Sequence, residues 1–353
     1  MKLPNLKSVE VAKKRIFLRM DLDVPIGEHG TILDDTRIEY SLPTITYLVK
    51  RGASIVIGSH LGRPNGFEKD LSLFPVGYFL REMLGIPIGK FTKTTLGGFE
   101  AFKIGERIVL LENLRFNPGE EINDPDFAHK LASLASIYVN EAFASSHRNH
   151  ASITGVPKIL PHFAGFRLEK EVEELSKVLE KPQRPLAVVI GGAKIETKLP
   201  LISKMHGFAD YVLVGGELAA ETKTILKVEH EKTQRKSKLI AADLTEDGLD
   251  ISQQSISEFK LAINTAKTIV WNGPMGKISS LSGQNLPSEK GTRELANLIV
   301  QSSAHTIVGG GDTVGFLKKE MLLPKFSFVS TGGGAMLEFL AGEKLPGLEA
   351  LTV

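Results

Sequence analysis

The sequence contains no cysteine among its 353 residues. This absence excludes disulfide bonds, thiol catalysis and cysteine-ligated zinc sites. The sequence also lacks any run approaching the ~20 apolar residues that a membrane-spanning helix needs. Its first residues, MKLPNLKSVEVAKKR, lack the apolar core of a secretory signal. We therefore expect a cytoplasmic protein.

An excess of charge of either sign is missing as well. The 43 basic residues nearly balance the 41 acidic ones, which leaves a formal net charge of +2. This balance argues against nucleic-acid and membrane partners. Apolar residues make up 42% and charged residues 24%, ordinary values for a soluble protein with a sizeable core. The length allows two domains or one large domain.

Two familiar nucleotide-binding patterns are absent. The Walker A pattern fails because its nearest candidates, GGAK and GIPIGKF, have the wrong spacing. The dinucleotide pattern G-x-G-x-x-G fails at GGGDTV, where its last position is Val314. Neither a P-loop enzyme nor a Rossmann-type dehydrogenase is well supported.

The most informative stretch that is present is TIVGGGDT, from Thr306 to Thr313. A short β-branched run enters three glycines, which predicts a buried strand, a tight turn and a helix N-terminus. The exposed amides and the helix dipole at such a turn would bind an anion. Asp312 could then hold a metal beside a phosphate. The alternative is a glycine turn that only reverses the chain.

The same pattern of an apolar strand, a polar or glycine loop and a helical stretch occurs nine times. This alternation predicts parallel sheets flanked by helices, with ligands beyond the carboxyl ends of the strands. The predicted strands are Ile16–Met20, Ser54–Gly58, Ile108–Leu111, Ile137–Val139, Leu186–Ile190, Tyr211–Val214, Thr268–Trp271, Thr306–Val308 and Phe326–Val329.

The loops of the two halves differ in kind. Strand ends of the first half carry arginine and histidine, which suit a small anionic substrate. Strand ends of the second half carry glycines, which suit a polyphosphate lying against bare backbone. A single arginine at such a place is commonly a solvated surface charge. Several arginines together with His60 make coincidence a poor explanation.

A helix is predicted between the halves at Arg167–Lys181. Leu168, Val172, Leu175 and Leu179 form one apolar stripe, and two prolines follow. We interpret this helix as the connector of two α/β domains. The alternative is an ordinary surface helix of a single domain.

Taken together, nine motifs closely resemble the phosphoglycerate kinase family, in the family's order and over nearly the whole chain. They are MDLDVP, DDTRIEY, SHLGRP, LENLRFNPGEE, SHRNHAS, GGAKIETK, WNGPMG, GGGDT and STGGGA.

The resemblance implies two Rossmann-like domains that face each other across a cleft and are joined by a hinge helix. The implied substrate domain covers 1–167, the helix 168–181 and the nucleotide domain 182–340, with the tail 341–353 returning to the first domain. The implied reaction is reversible phosphoryl transfer between 1,3-bisphosphoglycerate and ADP, giving 3-phosphoglycerate and ATP. A monomer that closes about its hinge is expected.

The resemblance also implies roles for individual residues. The substrate-binding set is Asp21, Asp23, Arg37, His60, Leu61, Gly62, Arg63, Arg115 and Arg148. The nucleotide-binding set is Gly192, Ala193, Lys194, Lys198, Gly215, Gly216, Asn272, Pro274, Gly310, Gly311, Asp312 and Thr313. Asp312 is the implied ligand of Mg²⁺, and the implied catalytic residues are Arg37, Lys194, Lys198 and Gly311.

The chemistry of the residues agrees with these roles. A transferring phosphoryl group spreads negative charge over its oxygens and needs positioning and fixed positive charge. We expect Arg37 to clamp this group. Its alternative role is that of a helix-start residue paired with an acid. No general base is required because a carboxylate is already a nucleophile, so the histidines are expected to donate hydrogen bonds.

The sequence departs from the family pattern at a few places. Position 23 is Asp where the family usually has Asn, Glu217 replaces a third glycine, and Ser279 replaces a glutamate that holds the ribose. Gly215 and Trp271 are also closer in sequence than in the family, by roughly one strand–helix unit of 30 residues or more. We therefore expect an active kinase with a relaxed nucleotide preference. A non-catalytic, phosphoglycerate-kinase-like binding protein is the alternative.

Overall fold

A computed structural model describes residues 2–193, 195–229, 237–279 and 286–352. The chain forms two compact units, Met1–Glu173 with Lys344–Val353 and Glu174–Glu343. Each unit is built around a sheet of mostly parallel strands flanked by helices, which confirms the predicted α/β class. All nine predicted strands are present, with ends that differ by up to two residues.

The strands of the first unit are β1 (Arg15–Arg19), β2 (Ser54–Gly58), β3 (Phe91–Leu96), β4 (Phe99–Ile104), β5 (Ile108–Leu111), β6 (Ile137–Asn140) and β7 (His162–Ala164). They form one sheet in the order β3-β4-β5-β2-β1-β6-β7. Its helices are α1 (Thr36–Lys50), α2 (Phe74–Met83) and α3 (Pro125–Ala132), and α4 (Phe166–Glu180) runs from the first unit into the second.

The hairpin of β3 and β4 was not predicted. Its two strands pair antiparallel with each other, and β4 also pairs antiparallel with β5. Its two-residue turn is Gly97–Gly98, with positive φ values of 57° and 79°. Two glycines with positive φ between short strands are typical of a tight hairpin turn, so a usable signal was present. The burial of β3 is too partial to give a continuous apolar run.

The described strands of the second unit are β8 (Leu186–Ile190), β9 (Tyr211–Val214), β10 (Lys238–Ala241), β11 (Thr268–Asn272), β12 (His305–Gly309) and β13 (Phe328–Val329). They form a fully parallel sheet in the order β10-β9-β8-β11-β12-β13. Its helices are α5 (Ile195–Phe208), α6 (Leu218–Glu229), α7 (Gln253–Thr265), α8 (Lys290–Gln301), α9 (Gly311–Lys319) and α10 (Gly334–Leu340).

Helix α4 contains the boundary between the two units. Leu168, Val172 and Leu175 of the predicted stripe are buried. Val178 is buried at the end of the stripe, whereas Leu179 is only half-buried. The last helix, α11 (Pro346–Glu349), belongs to the first unit, and the Gly347 amide donates to the carbonyl of Ser146 at 2.8 Å. Within the described ranges, no helix is both long and apolar enough to cross a membrane.

Glu141, directly after β6, caps the N-terminus of α4. Its carboxylate accepts from the Thr44 hydroxyl at 2.6 Å and from the Arg167 amide at 3.1 and 3.2 Å. The side chain is buried against Gly165, where an added Cβ would lie 1.8 Å from Glu141 Oε2. Burial raises the pKa of Glu141 to about 7, although these hydrogen bonds oppose the rise.

We predict that Glu141→Gln flattens the pH dependence of stability. Because the folded pKa lies above the unfolded one, the contribution of Glu141 is complete below about pH 4.5 and is lost as the pH rises through 7. Over that window the variant should lose up to about 3 kcal/mol of pH dependence in its free energy of unfolding, measured by urea titration.

The matched control is Glu106→Gln. The hydrogen bond from Lys90 lowers the pKa of this exposed carboxyl, so its titration lies outside the same window. An unchanged slope in Glu141→Gln would contradict the assignment of this pH dependence to the α4 cap.

Candidate active site

The carboxyl ends of four neighbouring strands in the first unit hold a group of four arginines and one histidine, here called the cationic cluster. Arg19, Arg37 and Arg115 lie close enough to His60 to affect its pKa, and Arg148 is close enough to affect that of Arg115. The strands β5, β2, β1 and β6 are adjacent in the sheet, so the loops that follow them meet at one edge. The cationic cluster is Arg19, Arg37, His60, Arg115 and Arg148.

Asp23 links several members of the cationic cluster. Its Oδ1 accepts from the Gly62 amide at 2.9 Å, and its Oδ2 lies 3.8 Å from His60 Nε2. The carbonyl of Gly62 accepts from Arg115 Nη1 at 2.6 Å. Gly62 has a φ of 62°, a conformation in which glycine is favoured. The departure from Asn at position 23 therefore places a carboxylate among cations.

Arg37 lies in the first turn of α1, where both of its predicted roles were possible. Its Nη1 donates to the backbone carbonyl of Asp23 at 2.6 Å, so the guanidinium is directed to the loop after β1. The residue is half-buried. This geometry favours a role at the strand ends.

Asp21 holds the loop that carries Arg148. Its Oδ2 accepts from the Ala144 amide at 2.7 Å and its Oδ1 accepts from the Ser145 hydroxyl at 2.5 Å. The Arg148 amide then donates to the carbonyl of Ser145 at 2.9 Å. Asp21 is buried, and its carboxylate stabilises the conformation of this loop.

The histidines around the cationic cluster are neutral at physiological pH. Burial first, and nearby arginines second, lower the pKa of His150 to about 3 and that of His147 to about 4. Burial, Arg19 and Arg115 also hold the pKa of His60 well below its usual value. Hydrogen-bond donation, rather than proton transfer, fits these groups. Of the other predicted substrate residues, Leu61 is buried and Arg63 is exposed.

The second unit brings the predicted glycine turns into mutual contact. The Gly192 amide donates to the carbonyl of Pro274 at 2.8 Å, and the Gly216 amide donates to that of Met275 at 2.9 Å. The Gly215 amide donates to the carbonyl of Ile190 at 2.9 Å. These amides already donate hydrogen bonds to backbone carbonyls of the protein. Their glycines therefore allow close backbone packing, and the amides are not offered to an anion.

The N-terminus of α9 is the better anion site in this unit. Gly310 is its N-cap, with a φ of 95°, and Gly311 is exposed in the first turn. The first amides of a helix lack acceptors within the helix and carry the positive end of its dipole. Two hydrogen bonds support this turn: Thr313 Oγ1 accepts from the Gly273 amide at 3.1 Å, and Asn272 Nδ2 donates to the Gly333 carbonyl at 3.0 Å.

Lys198 lies beside the same turns. Its Nζ donates to the carbonyl of Gly191 at 2.6 Å and is 3.3 Å from where a Cβ on Gly192 would be. Ala193 is exposed nearby. Lys194, the other predicted phosphate-facing lysine, lies outside the described residues.

Asp312 is the predicted metal ligand, and its surroundings fit a shared metal. Its side chain is exposed in the first turn of α9, next to the proposed anion site. In the described part of the chain, no group of three or more His, Asp or Glu side chains could hold a metal by itself. Mg²⁺ is commonly bound by one or two carboxylates together with substrate phosphates, and this donor set allows that arrangement.

The two departures in the nucleotide half have different surroundings. Glu217 is exposed after Gly216. The Ser279 amide donates at 3.0 Å to Glu289, whose fully buried carboxylate also accepts from the Leu286 amide at 3.3 Å. Glu289 therefore holds the backbone at Ser279 and at Leu286.

Arg19, the last residue of β1, was not among the predicted site residues, although its position in the sequence gave a signal. A charged residue within the apolar run RIFLRM is unusual for a strand buried on both faces, and Arg19 is indeed 1% exposed. Glu120 and Ser152, which lie close to it, are also fully buried. A buried charge of this kind requires partners, and these partners cannot be identified from the sequence alone.

Comparison with known proteins identifies the same family from end to end. The family model described as phosphoglycerate kinase matches residues 6–240 and 222–343. A phosphoglycerate kinase of Coprothermobacter proteolyticus is 38% identical over 400 aligned positions, which cover 100% of both chains. One of Dictyoglomus turgidum is 38% identical over 396 positions, with 98% of each chain covered.

Solved structures agree with the sequence comparison. The phosphoglycerate kinase of Coxiella burnetii matches with a TM-score of 0.78 and 34% identity, covering 99% of both chains. That of Pyrococcus horikoshii matches with a TM-score of 0.81 and 28% identity, covering 99% of this chain and 98% of the other.

The alignments also bear on the shortened interval. An alignment of 400 positions over a chain of 353 residues leaves at least 47 positions without a residue of this chain. The two ranges matched by the family model overlap at 222–240, which lies between Gly215 and Trp271. The overlap therefore falls inside the interval predicted to be short.

We predict that Gly273→Ala disrupts the packed glycine turns. A Cβ at this position would lie 2.1 Å from the Gly191 carbonyl oxygen, and the φ of 95° disfavours any other residue. Strain of this type costs about 1–3 kcal/mol in the free energy of unfolding before the steric overlap is added. The loss of stability is measured by thermal unfolding of the Gly273→Ala variant and of the parent.

The matched control is Gly315→Ala, because Gly315 lies within α9 and an added Cβ would have no neighbour within 4 Å. This change should stabilise the protein slightly, since alanine favours helix more than glycine. Equal stability of the two variants would refute the packing role of Gly273.

Proposed function

The chain belongs to the phosphoglycerate kinase family, and we propose that its two groups of strand-end residues divide the family reaction between them. The cationic cluster of the first unit binds the phosphoglycerate, and the α9 N-terminus with Lys198 binds the nucleotide phosphates. The protein is an enzyme that transfers a phosphoryl group reversibly between 1,3-bisphosphoglycerate and ADP, giving 3-phosphoglycerate and ATP.

One observation carries the assignment of the substrate to the first unit. Arg37, Arg115 and His60 converge on Asp23 and Gly62 through contacts of 2.6 to 3.8 Å. Guanidinium groups bind carboxylate and phosphate through paired hydrogen bonds, so a small acid with two anionic ends fits this group of donors. In the described part of the second unit, the glycine turns offer backbone groups and no guanidinium group.

The chemistry assigned to these residues is positioning and charge stabilisation. In the ATP-forming direction, an oxygen of the ADP β-phosphate attacks the acyl phosphate, and the carboxylate of 3-phosphoglycerate leaves. In reverse, that carboxylate attacks the γ-phosphorus of ATP while the bond to ADP breaks. Neither direction needs a general base. Arg37 stabilises the negative charge that spreads over the transferring group, and Lys198 with the first turn of α9 holds the phosphate chain.

We assign Asp312 to Mg²⁺, which when bound would neutralise part of the phosphate charge. Asp312 would hold the ion jointly with the nucleotide. The hinge movement, the monomeric state and the cytoplasmic location stay predictions.

A coupled assay with 3-phosphoglycerate and Mg-ATP tests the proposed function and the role of Arg37 together. We predict turnover by the parent chain and a loss of roughly 10³–10⁵ in kcat for Arg37→Ala, the range measured for arginines that stabilise a transferring phosphoryl group. The control is Lys50→Ala, which removes a cation from the far end of the same helix.

Lys50→Ala should retain the parent rate. Equal rates for Arg37→Ala and the parent would exclude the clamping role. The same assay run with GTP in place of ATP tests the predicted relaxation of nucleotide preference, and strict selectivity for ATP would count against it.

We predict that Asp23→Asn binds 3-phosphoglycerate more tightly. The amide oxygen can still accept from the Gly62 amide, while a negative charge is removed from a site that binds an anion. Two charges ~4 Å apart repel by about 4 kcal/mol at an effective dielectric near 20, and the surrounding arginines offset much of this energy.

The expected result for Asp23→Asn is a KM for 3-phosphoglycerate lower by about threefold to tenfold at low salt, with a smaller difference at high salt. The KM for ATP serves as the internal control and should not change. A higher KM for 3-phosphoglycerate would show that the carboxylate assists binding.

A further inference from the structure

A buried hydrogen-bonded chain lies behind the predicted substrate residues. Its members are Glu120, Ser152, Arg19 and His60, each at most 6% exposed. They come from the carboxyl ends of four adjacent strands: β5 precedes Glu120, β6 precedes Ser152, β1 ends at Arg19 and β2 precedes His60. The chain therefore joins the loops that carry the cationic cluster.

Arg19 is the centre of this chain. Its Nε donates to Ser152 Oγ at 2.8 Å, and Nη1 donates to the carbonyl of Met20. The Ser152 hydroxyl donates in turn to Glu120 Oε1 at 2.5 Å, and the Ser152 amide donates to Oε2 at 3.0 Å. The hydroxyl thus connects the buried cation to a buried carboxylate. The remaining nitrogen, Nη2, lies 3.1 Å from His60 Nδ1.

The last contact fixes the protonation of His60. A guanidinium has only donors, so Nδ1 must be the acceptor and cannot carry a proton. The imidazole is therefore neutral with its proton on Nε2. In a doubly protonated ring, the Nδ1–H group would face an N–H group of Arg19. The charged and titratable groups that face this ring are Arg19, Arg37, Arg115, His150 and Asp23.

We propose that Arg19 is a positioning residue that, held by Ser152 and Glu120, locks His60 as a neutral donor with its proton on Nε2. The locked N–H faces the side of the ring where Asp23 lies, 3.8 Å away, and is presented to an anionic oxygen of the substrate. The identity of that oxygen rests on the proposed function, whereas the tautomer of His60 is independent of it.

Nuclear magnetic resonance of the full chain labelled with ¹⁵N-histidine tests the proposal directly. The signals of His60 are assigned by their loss in His60→Asn. We expect a pyridine-like shift for Nδ1 and a pyrrole-like shift for Nε2, both constant from pH 8 to 5. A proton on Nδ1, or a ring that becomes charged within this range, would overturn the proposal.

Arg19→Met combined with Glu120→Gln tests the cause of the lock. The two changes remove one positive and one negative buried charge together, so neither is left uncompensated. We expect His60 to sample both tautomers and its pKa to rise towards the ordinary value. The KM for 3-phosphoglycerate should rise about tenfold with little change in the KM for ATP, as expected for the loss of one buried charged hydrogen bond.

The matched control is Arg167→Met with Glu171→Gln, which removes another largely buried pair of the first unit, joined at 2.8 Å within α4. This control should leave the His60 spectrum unchanged. If the Arg19 variant does not fold, Ser152→Ala breaks the same chain with a smaller change, and the parent spectrum alone still decides the tautomer. An Arg19 or Ser152 variant with the parent His60 spectrum would contradict the positioning role.

The same experiments separate this inference from the proposed function. If the parent shows no turnover with 3-phosphoglycerate and Mg-ATP, the proposed function fails while the spectrum still decides the tautomer. If turnover is normal and Nδ1 carries the proton, the function stands and the inference fails.

Discussion

The crowding of positive charge at one edge of the first sheet is the constraint on which the rest of the site depends. Arg19, Arg37, Arg115 and Arg148 lie near one another, and burial lowers the pKa of Arg115 although its Nε lies 3.1 Å from Glu121 Oε1. Like charges at short range in a partly dehydrated site are unfavourable unless an anion joins them. The protein reduces the cost by keeping its histidines neutral and by placing Glu120, Asp21 and Asp23 where they support loops. The proposed substrate, with its carboxylate and phosphate groups, would supply further negative charge to these arginines.

In the proposed function both units bind anions, and they do so by different means. The first unit uses long side chains that are held in place by buried hydrogen bonds. The second unit uses backbone, and its glycines bring three strand ends within contact distance of one another. This packing leaves the first turn of α9 as the accessible group of amides. Lys198, held against the Gly191 carbonyl, adds a positive charge there.

Much of the fold could be predicted because parallel strands buried on both faces leave continuous apolar runs, and each of the nine such runs is a strand. The hairpin Phe91–Ile104 was missed because its strands are partly exposed and its register depends on two glycines with positive φ. The site was predictable at the level of loops, since every loop at the edge of a parallel sheet contributes to one place. The hydrogen-bond partners of the side chains in these loops were not predictable. Nothing in the sequence reveals that Arg37 contacts the carbonyl of Asp23, or that Ser152 connects Arg19 to Glu120.

The departures from the family pattern have unequal consequences in the structure. Asp23 lies among cations that offset its charge, and the Gly62 amide uses one of its oxygens. The second unit retains a continuous parallel sheet, with β10 next to β9, although the chain is shorter than its relatives. The strands that carry the glycine turns are therefore retained in the shorter chain.

The central claim is that the first unit binds the phosphoglycerate and the second binds the nucleotide. Calorimetric titration of the full chain carrying Arg115→Met with Arg148→Met tests it most directly. The account predicts that the affinity for 3-phosphoglycerate falls about 100-fold or more, since two charged hydrogen-bonding groups are lost, while the affinity for Mg-ADP stays within about twofold of the parent. A variant that loses Mg-ADP binding but retains 3-phosphoglycerate binding would contradict the account.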